Sequence, residues 1–150
     1  MPDTTAASLI VLDTNVALDV FLFERDALLD PLRQAVREGR VIPIATPWAA
    51  AEFQQILRLD KIPGTAERRQ LAWESFEHVT QLRELPPKQR PTPKCADRMD
   101  QDFIDLAVAT DAAWLLSRDK KVLRLRKRFE KLELPTGVMH PLDWCASVSC

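Results

Sequence analysis

Short runs of consecutive apolar residues, each closed by a polar residue and followed by a helical pattern, constrain this chain more than any other feature. Leu9-Ile10-Val11-Leu12 ends at Asp13, Val41-Ile42-Pro43-Ile44 ends near Thr46, and Trp114-Leu115-Leu116 ends at Ser117. A strand that is apolar at successive positions is buried on both faces, as in a parallel sheet covered by helices. Pro43 removes one ladder donor and places its strand at or near an edge. Val138-Met139 reads as a last strand.

The segments between these runs carry helical signals. Val16, Ala17, Val20 and Phe21 recur at helical spacing, and Asp30-Pro31 reads as a cap plus first-turn proline, with Gly39 as the stop. Thr46-Pro47 opens a helix bearing Glu52, Phe53, Ile56 and Leu57. After Pro63-Gly64 the spacing predicts a helix to about Leu82, with Ala72, Phe76 and Val79 on one stripe. Leu85 to Lys94 is rich in Pro and Lys and predicts an extended connector. Asp97 to Thr110 is helical, a basic helix runs from Asp119 to about Lys131, and Pro141 opens a short terminal helix. Strands alternating with helices define an α/β fold with a central parallel sheet and helices on both faces. At 150 residues the expectation is one domain over 1–150.

Composition narrows the function. Lys+Arg 21 against Asp+Glu 22 excludes a globally basic nucleic-acid binder, but not local patches. With Gly at 3, no glycine-rich phosphate loop can be built. Cys95, Cys145 and Cys150 form an odd set without a C-x-x-C pair, and Met1 to Ser8 has no positive charge ahead of its apolar run. Together these imply reduced thiols in a cytoplasmic protein with no membrane segment. A zinc set of Cys145, Cys150 and His140 fits no common ligand spacing.

The chemistry points to acids. Asp13 and Asp119 follow two apolar strands, and ligands of open α/β sheets bind outside the carboxyl ends of strands. Asp100 continues the buried stripe of Phe103 and Ala107, and Glu52 lies close to the inner face of its helix. Each acid alone reads as a cap or an ion-pair partner. Brought together they would repel, and the usual remedy is a hard divalent cation, Mg²⁺ or Mn²⁺, held by oxygen ligands. Such a site suits phosphodiester hydrolysis. Ser/His/Asp catalysis has only His78 and His140 to draw on, and His78 reads as a surface residue.

Val11-Leu12-Asp13-Thr14-Asn15-Val16, a helix with an early Glu, Asp97-x-x-Asp100-Gln101-x-Phe103-Ile104-Asp105-Leu106-Ala107 and Trp114-Leu115-Leu116-Ser117-Arg118-Asp119 together resemble a PIN domain. The nearest likeness is to the bacterial toxin components of toxin–antitoxin systems, relatives of the VapC ribonucleases, and it runs from about Leu9 to the Trp144 region. The resemblance implies a three-layer α/β/α fold and Mg²⁺- or Mn²⁺-dependent cleavage of single-stranded or structured RNA. It makes Asp13, Glu52, Asp100 and Asp119 the acidic metal-site positions, with Thr14, Asn15, Asp97 and Ser117 in support. It also implies an antitoxin protein that blocks the site, and a homodimer. Met99 departs from the pattern, which commonly has a second Asp there, and the expected effect is weaker metal affinity. Asp102 and Asp105 read as solvent-facing or salt-bridge residues.

Arg118, Lys120, Lys121 and Arg124 begin a basic stretch beside the proposed site and are candidates for RNA phosphates, or for a solvated helix face. A haloacid-dehalogenase-like phosphatase needs an acid where Asn15 stands, and a receiver domain needs an acidic pair that this chain lacks. The remaining alternative is a catalytically silent PIN-like fold kept for RNA or protein binding.

Overall fold

The computed structural model describes residues 7–23 and 26–148. Met1 to Ala6 and Cys150 therefore lie outside the described residues, with the zinc set that would have needed Cys150.

Among the described residues five parallel strands form one sheet: β1 (Ser8–Leu12), β2 (Val41–Ala45), β3 (Gln81–Leu82), β4 (Trp114–Leu116) and β5 (Gly137–Met139), in the order β3-β2-β1-β4-β5. The helices are α1 (Thr14–Leu18, running on into a π turn, Asp19–Phe23), α2 (Asp30–Arg37), α3 (Pro47–Leu57), α4 (Ala66–Val79), α5 (Arg98–Thr110), α6 (Lys120–Leu123), α7 (Arg126–Lys131) and α8 (Pro141–Val148).

The apolar runs behave as the parallel-sheet argument requires. Ile10 and Leu12 enter one core with Val16, Leu32, Phe53, Phe76 and Trp144. Val11, between them, enters the other with Phe103, Ile104, Leu106, Val122 and Phe129. Leu115 and Leu116 divide in the same way. Successive strand residues thus serve opposite faces, which gives three layers, α/β/α. Helix α3 touches both cores, through Ala49 on one side and Ala50, Phe53 and Leu57 on the other.

Pro43 pairs in register with Ile10 of β1, while β3 reaches only Ile44 and Ala45 on the other side of β2. The proline therefore sits one strand from the edge, just ahead of the stretch that β3 covers. Strand β3 is absent from the sequence reading, which carried the preceding helix to Leu82. The helix stops at Val79, because Thr80 turns to extended backbone (φ -91, ψ 133) and the chain enters a two-residue edge strand. The basic helix is also broken. At Leu125 the amide bonds to Val122 three residues back, not four, which ends α6 before α7 begins.

Candidate functional site

Strand β1 delivers Asp13 to the carboxyl edge of the sheet, and β4, its neighbour, delivers Ser117 and Asp119 to the same edge. The register continues past the strand ends: the Asp13 amide donates to the Leu116 carbonyl at 3.1 Å. That places Asp13 against Ser117, whose hydroxyl donates to Asp13 Oδ2 at 2.5 Å. The same Ser117 oxygen accepts the Asp119 amide at 2.9 Å. Ser117, fully buried, thus ties the two strand-end acids together.

Asp13, Asp97 and Asp119 each cap the helix they precede, accepting through Oδ1 the amides of Val16, Asp100 and Lys121 at 2.9, 3.0 and 2.8 Å. The capping and site readings of these acids are therefore compatible. In Asp97 and Asp119 the cap occupies one carboxylate oxygen and leaves the other to face a ligand, whereas the second oxygen of Asp13 also accepts the Ser117 hydroxyl.

Helix α5 brings the next acid. Burial, then the charges of Asp97, Asp119 and Asp13, raise the Asp100 carboxyl to about 6, against an opposing pull from Lys121. The four aspartates therefore share one electrostatic environment at the carboxyl edge. Burial also raises the Asp13 carboxyl, opposed by the Ser117 hydroxyl, the Val16 amide and Arg118.

The other candidates are placed as follows. Glu52 is half-buried on α3, and among the described residues no hydrogen bond or ion pair joins it to the aspartates. Thr14 is half-buried and Asn15 exposed in the first turn of α1. Arg118 reaches back to Asp19 at 3.2 Å, an acid on the π turn that the sequence reading passed over. Lys120, Lys121 and Arg124 are exposed. Met99 packs on the core beneath α5, so an apolar contact replaces the acid expected there. Asp105 sits 3.5 Å from Lys88, in line with a salt-bridge role. Asp102 is more enclosed than expected: it is half-buried and accepts the Thr46 hydroxyl at 2.8 Å, tying α5 to the cap of α3. His78 is exposed, as expected. His140 Nδ1 accepts the Leu142 amide and Cys145 is buried in the core, so neither is disposed as a zinc ligand.

Among the described residues, no three His, Cys, Asp or Glu side chains are disposed as a ready ion-binding set. The chemistry of the donors nonetheless fits a hard cation. They are carboxylate oxygens without thiol or imidazole, and their mutual repulsion is what such an ion relieves.

A doubly covered parallel sheet with an acidic cluster at its carboxyl edge defines an α/β protein whose ligand site lies beyond its strand ends. The family model of the PIN domain matches residues 9–121, from β1 into α6, and the chain belongs to that family. PIN domains have a nuclease-type fold and typically use divalent metals. No curated protein matches the chain. Among the described residues no helix is long and apolar enough to cross a membrane.

Proposed function

We propose that this chain is a metal-dependent endoribonuclease that hydrolyses RNA phosphodiester bonds, acting as the toxin of a toxin–antitoxin pair. The observation that carries the reading is the gathering of Asp13, Asp97 and Asp119 about the half-buried Asp100, whose carboxyl is raised to about 6 by burial first and by these three charges next. Acids held together at such a cost are suited to a cation.

Asp13, Asp100 and Asp119 would hold Mg²⁺ or Mn²⁺, with Glu52 as the fourth acid. A divalent ion bound there supplies an activated water and neutralises charge on the phosphate. The chain's own residues do the positioning. Ser117 fixes the Asp13 carboxylate and, through the Asp119 amide, the loop that carries the third acid. Asp97 anchors the first turn of α5 and adds negative charge beside Asp100. Thr14 and Asn15 support the start of α1. Lys120, Lys121 and Arg124 take phosphates flanking the cut bond. Within this reading residues 1–150 form one PIN-like domain in a cytoplasmic homodimer, and an antitoxin protein masks the acidic edge.

The decisive experiment incubates purified chain with RNA in Mn²⁺ or Mg²⁺, with EDTA and with Asp13→Asn and Asp100→Asn. Cleavage that needs the ion and both aspartates supports the reading. An intact RNA pool in every condition, with harmless expression in cells, transfers the chain to the silent RNA- or protein-binding class.

A further inference from the structure

A second feature lies at the same edge, across α5 from the aspartates. At about 100° per residue, Arg98, Asp102 and Asp105 fall on the face of α5 opposite Asp100. That face looks toward the first turn of α3, where the Arg98 guanidinium lies 4.7 Å from the centroid of the Trp48 ring. Trp48, Arg98, Gln101, Asp102 and Asp105 line an open cleft between the two helix starts.

The polar groups of this cleft are arranged by the fold. Asp102 spends Oδ2 on the Thr46 hydroxyl, and Asp105 receives Gln101 Nε2 at 2.9 Å on Oδ1, the same oxygen that lies 3.5 Å from Lys88 Nζ. Each carboxylate keeps an oxygen for a ligand. An ionised carboxylate only accepts hydrogen bonds, so the cleft suits an edge that presents donors. A Trp ring layered with a guanidinium is a stacking surface for an unpaired base.

We infer that this cleft binds an unpaired guanine of the RNA strand, stacked on the Arg98–Trp48 pair with its N1–H and N2–H groups directed to Asp102 and Asp105. The inference rests on the nuclease reading for its ligand and adds the base that the site prefers. Guanine places the O6 acceptor beside those donors, on the side where Lys88, which lines the neighbouring cleft, lies 3.5 Å from Asp105. Uracil has one donor between two acceptors, and adenine offers a single amino group, so neither matches two acidic acceptors and an ammonium. The cleft lies one helix diameter, about 10 Å, from Asp100, so the guanine flanks the cut bond. The basic side chains of α6 lie toward β4, and the cleft lies toward β2. The strand therefore runs along the carboxyl edge of the sheet, phosphates first on α6, then past the acids, then the base at Trp48.

The test is equilibrium binding in EDTA, where no cleavage intervenes. The probes are a single-stranded uridine oligomer and the same oligomer carrying one guanosine. The intact chain binds the guanosine probe about tenfold more tightly. Trp48→Ala and Arg98→Ala each bring the two probes together, and Asp102→Asn does the same. Arg98 is exposed and its variant keeps the fold, so it decides the matter if the Trp48 variant does not fold. Equal affinity for both probes, or a guanosine preference that survives Arg98→Ala and Asp102→Asn, overturns the inference and leaves the cleft to a protein side chain. A guanosine preference lost in these variants, in a chain that never cuts RNA with Mn²⁺, upholds the cleft and removes the nuclease reading. Cleavage without any such preference does the reverse.

Discussion

Asp100 sets the price of the acidic edge in free energy. Burial and the neighbouring aspartates raise its carboxyl from the ordinary 3.8 to about 6, so the folded state holds its proton more tightly than the unfolded one. Where the folded state binds more protons, stability falls as pH rises. In the metal-free chain that loss begins near the lower value and is complete above the upper one. Asp100 is only half-buried, and solvent screening reduces the effect to about 1 kcal/mol. Asp100→Asn in EDTA is therefore expected to melt roughly 2–4 °C above the parent at neutral pH and level with it at about pH 4. Thermal unfolding at both pH values checks this, and an unchanged melting point at neutral pH would contradict it. Ser117→Ala acts in the opposite direction. It strips a buried carboxylate of a donor and a backbone amide of its acceptor, which costs about 1–3 kcal/mol in denaturant unfolding. In the proposed nuclease it is also expected to lower ion-dependent RNA cleavage while leaving the aspartates in place. The positions of Asp13 and Asp119 were legible in the sequence because strand ends were legible. The link between Asp13 and Ser117 was not, because it joins residues 104 apart and exists only once β1 and β4 are neighbours. The Arg118–Asp19 pair was hidden for the same reason, and Asp102 because its partner, Thr46, lies 56 residues away.

At the scale of elements, legibility followed burial. Strands β1, β2 and β4 announced themselves because each must present apolar side chains to two cores. Strand β3 has only the exposed Gln81 and Leu82 and bears no such mark. It exists because Ala45 and Ile44 offer an open ladder beside it. Strand β5 is short, and its first residue shows how tightly the edge is packed. A Cβ on Gly137 would lie 2.6 Å from Trp114 Cζ3 and 2.7 Å from Cε3, on a ring held between strand and core. Gly137→Ala must displace that indole and is expected to cost about 1–3 kcal/mol. Gly39, which ends α2, is the control. Its φ of +74 favours glycine, but a Cβ there meets nothing within 4 Å. Gly39→Ala therefore carries only the backbone cost of roughly 1 kcal/mol. Denaturant unfolding of the two variants separates crowding from conformation. A Gly137→Ala variant no less stable than Gly39→Ala would show that the Trp114 ring yields freely.

Across the whole molecule, a formal net charge of -1 conceals a separation of charge along one edge of the sheet. The aspartates gather where β1, β4 and α5 converge, and immediately beyond them stand Lys120 and Lys121 on α6 and Arg124 at its C-terminal cap. Lys121 is close enough to lower the Asp100 carboxyl, so the basic group and the acidic cluster adjoin. An RNA strand drawn to this edge must displace counterions from its phosphates, and the salt dependence of binding counts them at about 0.7 per contact for a single strand. Replacing Lys120, Lys121 and Arg124 together by Gln is expected to flatten that slope by as much as about 2, with no change in melting temperature, because all three are exposed. The same replacement at Arg126, Lys127 and Arg128 on α7 removes equal charge farther along the chain, where Arg126 already faces Glu130 at 3.6 Å. If position decides, the α6 variant loses more slope than the α7 variant. If net charge alone attracts the RNA, the two variants fall on one line. Binding titrated over a range of salt concentrations distinguishes these outcomes, and equal slopes would mean that α6 is a solvated helix face with no part in holding the strand.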